Sequence, residues 1–64
     1  MSLYSGQLLD QRYDIVRLIG QGGFGAVYLA EAVRLNRQLV AVKENIDTSQ
    51  EAQRQFHQEA TLLF

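Results

Sequence analysis

The chain has no cysteine, which rules out disulfides and thiolate metal sites, and its single histidine, His57, cannot build a structural zinc site alone. Proline is also absent, and no repeat or low-complexity tract marks a linker. No apolar run approaches the length of a membrane span. The opening "MSLYSGQLLDQR" lacks the basic flank and apolar stretch of a signal peptide. The expected compartment is therefore the cytoplasm, without direct membrane contact. Clustered charge of one sign is missing too, since the net charge is −1 and the charged residues are dispersed. That disfavours nucleic acid as a partner. At 64 residues the chain buries only a small share of its surface, so no more than one domain is expected and stability must come from packing or from partners. Lysine is nearly absent: five of the six basic residues are arginines, leaving Lys43 as the single ammonium.

Glycine is present, and concentrated. In "GQGGFGAVYLAEAV", residues 20 to 33, Gly20, Gly22, Gly23 and Gly25 crowd the first six positions and a strand-like run follows. Glycine loses more conformational freedom on folding than any other residue, so such a cluster weakens the fold unless the backbone itself has a task.

The flanking segments read as strands. "YDIVRLI", residues 13 to 19, is rich in β-formers, and alternation puts Asp14 and Arg17 on opposite faces. "AVYLAEAV", residues 26 to 33, places Val27, Leu29, Glu31 and Val33 on one face and Ala26, Tyr28, Ala30 and Ala32 on the other. "RLNRQ" supplies a turn with Asn36 at its tip. "LVAVKE" is a third strand ending near Asn45, with Leu39, Ala41 and Lys43 sharing a face.

Beyond it the period changes. "TSQE", residues 48 to 51, is a capping-box pattern that predicts a helix start. Helical spacing puts Ala52, Phe56, Ala60 and Leu63 on one stripe, with Gln53, Arg54, His57 and Gln58 mostly opposite. Glu59 falls inside the apolar stripe. A carboxylate pressed against a sheet needs a cation, and Lys43 is the natural candidate. The expected fold class is α+β: an antiparallel sheet of three strands followed by one helix.

Three readings compete for the glycines. One is an ordinary loose hairpin. Another is the dinucleotide fingerprint, which needs a helix after the glycines, whereas a strand pattern follows. The third is a Gly-rich flap between antiparallel strands, whose backbone amides approach phosphate oxygens while Phe24 at the tip shields them from water.

"GQGGFGAV" resembles the protein-kinase Gly-x-Gly-x-x-Gly-x-Val loop, "VAVK" at 40 to 43 resembles that family's third-strand lysine motif, and Glu59 sits where the family places its helix-C glutamate. "RYDI", the double glycine before Phe24, and "FHQEA" further resemble the bacterial branch of eukaryotic-like serine/threonine kinases. The resemblance implies that Lys43 contacts the α- and β-phosphates of ATP and is oriented by Glu59. It implies that Ile19, Val27 and Ala41 sandwich adenine, and that the stretch Gly20, Gln21, Gly22, Gly23, Phe24 and Gly25 covers the phosphates. On the residues alone, Ile19, Val27 and Ala41 could instead be core, and Lys43 with Glu59 a purely structural pair.

The resemblance runs from about Leu9 to Phe64 and stops short of a whole kinase. The His-Arg-Asp catalytic loop and the Asp-Phe-Gly metal site are not in these residues, so no magnesium ligand is assigned and the chain by itself is expected not to transfer phosphate. Residues 13–64 are read as a truncated kinase N-lobe. Residues 1–12 are read as an N-terminal extension whose first three residues are an initiation or cloning remnant. The parent would use ATP with Mg2+ and a protein substrate. The rival class is a non-catalytic kinase-like module for nucleotide sensing or assembly. Because the third strand would be an apolar edge, a homodimer covering it is expected.

Overall fold

A computed structural model describes residues 3–47 and 55–63. Five strands make one antiparallel sheet in sequence order: β1 (Leu8–Leu9), β2 (Tyr13–Gly22), β3 (Gly25–Ala32), β4 (Gln38–Asp47) and β5 (Gln55–Leu62). Each strand pairs with the next, as short connections allow between antiparallel neighbours.

The three strands expected from the sequence are β2, β3 and β4. Register partners Gly22 and Gly25 close the β2–β3 hairpin, leaving Gly23 and Phe24 as its tip. The β3–β4 connection turns through Asn36 and Arg37, both at positive φ (53° and 56°). Asn accepts this left-handed conformation readily, whereas an arginine there needs anchoring. The Arg37 guanidinium supplies it by donating to Glu31 at 2.8 Å and Asp14 at 3.2 Å.

Alternation decides the core. Ala26, Tyr28, Ala30 and Ala32 of β3 share a face with Val40 and Val42 of β4, and these residues with Ile15 and Leu3 form the buried cluster. Strict alternation fails only in β2. Register shifts between Ile15 and Arg17 and between Leu18 and Gly20 mark two bulges. The first brings Asp14 and Arg17 opposite Glu31 and Leu29, which lie on one face of β3, so the expectation of opposite faces is corrected. Leu3 packs in the core and β1 pairs with Tyr13 and Asp14, so residues ahead of β2 contribute to the sheet.

Among the described residues the expected helix is not formed, and the α+β assignment is corrected to all-β. Gln55–Leu62 is a strand, paired with β4 from Val40↔Leu62 to Asp47↔Gln55. The capping box at 48–51 and Ala52 lie outside the described residues. The physical reason is the edge of β4. Its backbone donors and acceptors need partners, and eight register pairs with β5 supply them. Helix propensity is a weak prior, and a short isolated helix is marginal in water. The change of period also separates Glu59 from Ala60: a strand sends them to opposite faces, beside Lys43 and Val42 respectively. Because β5 covers β4, the edge that motivated the dimer is no longer free.

Candidate functional site

The chemistry-bearing residues line up in one row across the sheet. Gly20 is the register partner of Val27, Val27 of Lys43, and Lys43 of Glu59. Directly opposed residues on neighbouring antiparallel strands have Cβ atoms about 4.5–5.5 Å apart and point to the same side. Lys43 and Glu59 are thus neighbours, as expected, but by strand pairing rather than by a helix packed on the sheet. Glu59 is exposed, so the need to neutralise a buried carboxylate is not what places it there.

Ala41 pairs with Leu29, one alternation step from Val27 and Lys43, on the same side as both. Ile19 lies at the second bulge beside Gly20 and is 44% exposed. None of Ile19, Val27 and Ala41 belongs to the buried cluster, which occupies the other face. The reading of these three as core is therefore set aside. Their side is an open surface, with no enclosed pocket among the described residues.

The glycines divide into two kinds. Gly25 has φ +135°, and a Cβ built there would run into the Glu44 carbonyl oxygen, with the Glu44 carbonyl carbon at 3.0 Å and Asn45 Cα at 3.1 Å. β3 and β4 can approach at that point only because residue 25 has no side chain. Gly20 and Gly23 are different: nothing lies within 4 Å of a Cβ at either, so the fold itself does not ask for glycine there. At Gly22 a Cβ would meet only the Phe24 ring, at 2.8 Å.

The charges on this face are accessible. Lys43 Nζ stands 6.0 Å from the centroid of the Phe24 ring. Glu59 Oε1 accepts a hydrogen bond from Asn45 Nδ2 at 3.3 Å. Among the described residues the ion pairs are those of Arg37 with Asp14 and Glu31, so Lys43 and Glu59 are juxtaposed without direct contact of their charged ends. No group of three or more His, Asp or Glu among the described residues is placed to hold a metal ion.

Sequence reasoning missed Glu44. It is fully buried on the core face, where its Oε1 accepts from the Tyr28 hydroxyl at 3.4 Å and its Oε2 from Gln58 Nε2 at 3.1 Å. The signal was available, since alternation from Val40 and Val42 leads straight to residue 44. Burial pushes the Tyr28 phenol above its ordinary pKa against the lowering effect of a backbone hydrogen bond at Leu3, and the Glu44 carboxylate adds to the rise. Gln58 comes from β5, so Glu44 joins β3, β4 and β5 through side chains.

Comparison with known proteins gives relatives of one kind and another. The chain is 38% identical over 61 residues, 91% of its length, to a probable serine/threonine-protein kinase of Clostridium perfringens, and covers 9% of that protein. It is 39% identical over 64 residues to the serine/threonine-protein kinase PknA of a Nostoc species, covering 11% of it. It is also 44% identical over 59 residues to the high affinity nerve growth factor receptor of Rattus norvegicus, covering 7% of it. The chain thus spans about a tenth of the length of these relatives. No family model and no solved structure matches it.

Proposed function

Since the chain is related to a segment of serine/threonine protein kinases, we propose that it is the part of such an enzyme that covers and orients the phosphates of ATP. The observation that carries this reading is the row Gly20, Val27, Lys43 and Glu59, laid across four strands beside the glycine hairpin. The residues suit the ligand. Gly20 and Gly23 leave open space where any other residue would carry a side chain, which lets anionic oxygens reach the hairpin backbone. Lys43 presents an exposed ammonium on the same side, a compact point charge suited to phosphate. Ile19, Val27 and Ala41 offer apolar surface for a base, outside the core.

In this proposal the parent transfers the γ-phosphoryl group of MgATP to a protein hydroxyl, and bound MgATP supplies the leaving group and the metal. Lys43 holds the α- and β-phosphates, and Glu59 keeps Lys43 extended across the strand. The chain alone lacks a base for the substrate hydroxyl and is inactive. In a full kinase carrying this segment, Lys43→Met is expected to abolish autophosphorylation while the fold persists. Undiminished activity with that variant refutes the role. The rival, a non-catalytic module, predicts instead that the variant loses nucleotide binding or assembly in a parent without phosphotransfer.

A further inference from the structure

Phe24 does not project freely from the hairpin tip. Its ring folds back along the hairpin over Gly22, close enough that a Cβ on Gly22 would stand 2.8 Å from Phe24 Cε2 and 3.1 Å from Cδ2. The same ring lies 6.0 Å from Lys43 Nζ, at the outer reach of a cation–π contact. Two independent features therefore meet in one ring position: a missing side chain at residue 22 that makes room for the ring, and a lone ammonium that faces it.

We infer that Phe24 is a self-ligand for Lys43, holding the ammonium in the ligand-free chain, so that an anionic ligand must displace the ring to reach it. The quadrupole of an aromatic ring presents its negative face to a cation. An incoming phosphate offers Lys43 a stronger, charge-assisted partner, so the exchange favours the ligand while costing it the ring contact. Glu59 does not compete for Lys43 in this state: among the described residues no ion pair joins them, and its Oε1 accepts from Asn45. The hairpin tip thus acts as a gate as well as a cover, and only a glycine at 22 lets it fold back. The identity of the anion as nucleotide phosphate rests on the function proposed above; the ring–lysine contact does not.

Because Lys43 is the only lysine, its ε-methylene signal in proton–carbon NMR is unambiguous. Three proteins are compared: the unchanged chain, Phe24→Leu, which keeps an apolar side chain without the π face, and Gly22→Ala, which pushes the ring off without touching Phe24. Without ligand, the Lys43 signal is expected upfield in the unchanged chain and to relax downfield in both variants. Titration with inorganic tripolyphosphate, followed on the same signal, is expected to show affinity about two- to five-fold tighter for Phe24→Leu, the factor an exposed cation–π contact gives. An identical Lys43 signal in the unchanged chain and Phe24→Leu overturns the inference, whatever the nucleotide does. A ring-dependent signal with equal tripolyphosphate affinity overturns the gate. A ring-dependent signal that tripolyphosphate moves in none of the three refutes the phosphate reading and, with it, the gate, while the contact stands.

Discussion

Replacing Gly25 with alanine is expected to cost the fold a large part of its stability, and the structure allows the cost to be worked out. Two penalties coincide. The φ of +135° is one that L side chains rarely adopt, and holding a residue in such a region costs about 1–3 kcal/mol. The new methyl would also collide with backbone, the Glu44 carbonyl and Asn45 Cα, rather than with a side chain that could turn aside. Overpacking of this kind costs about another 1–3 kcal/mol, so the sum is about 2–6 kcal/mol. A chain of 64 residues has roughly 3–10 kcal/mol in all, at typical stability per residue. At mid-range values Gly25→Ala therefore removes more than half of that margin. The controls are Gly20→Ala and Gly23→Ala, where nothing lies within 4 Å of the new Cβ and φ is not positive. These should stay within about 1 kcal/mol of the parent, with a small gain from the stiffer unfolded chain. Urea titrations followed by far-ultraviolet circular dichroism rank the three. A Gly25→Ala midpoint equal to that of Gly20→Ala would refute the close approach of β3 and β4 at that point. On the proposed function, Gly20→Ala and Gly23→Ala lower activity in a full kinase without lowering stability.

Other perturbations test other parts of the structure. Gln58→Ala removes a hydrogen bond to the buried Glu44 carboxylate, so a loss of about 1–3 kcal/mol and faster amide exchange in β5 are expected; unchanged exchange there would show that Gln58 does not fasten the strand. The raised Tyr28 pKa gives a signed pH effect: its stabilisation is complete below the unfolded phenol value of about 10 and is lost as pH rises through the higher folded value. Tyr28→Phe should flatten that alkaline fall, and an identical decline in both proteins would reject the assignment. For association, the β4 edge on which a homodimer was expected is covered by β5; residues 58–62 of β5 are exposed, and we propose a homodimer through this different edge instead. Light scattering after size-exclusion chromatography should report twice the monomer mass; a stable monomer at micromolar concentration rejects it.

Much of the site was legible because it depends on spacing along strands. The alternation of Val27, Leu29 and Glu31 against Ala26, Tyr28 and Ala30, and of Ala41 and Lys43 against Val40 and Val42, is a property of extended backbone and needed no partner to be read. The hairpin was legible for a similar reason, since glycines between two strand patterns leave few other conformations. The two bulges of β2, between Ile15 and Arg17 and between Leu18 and Gly20, were not legible, because nothing in "YDIVRLI" differs from a regular strand. They arise only when β2 must match β3 residue by residue.

Sequence by itself therefore determined three strands, the faces of β3 and β4, and the glycine hairpin; it paired Lys43 with Glu59 through a buried helix face that the structure replaces with an exposed strand pair. Tertiary structure decided which face is buried, because only the assembled sheet shows that the alanines, Tyr28 and Glu44 go inside while Val27, Ala41 and Lys43 stay out. It also decided the state of the C-terminal segment. A capping box and a helical stripe are local preferences of small free energy, whereas an open strand edge offers a row of hydrogen-bond partners to whatever segment can extend beside it. The edge of β4 outweighed the local code, and Glu59 reached Lys43 along a strand.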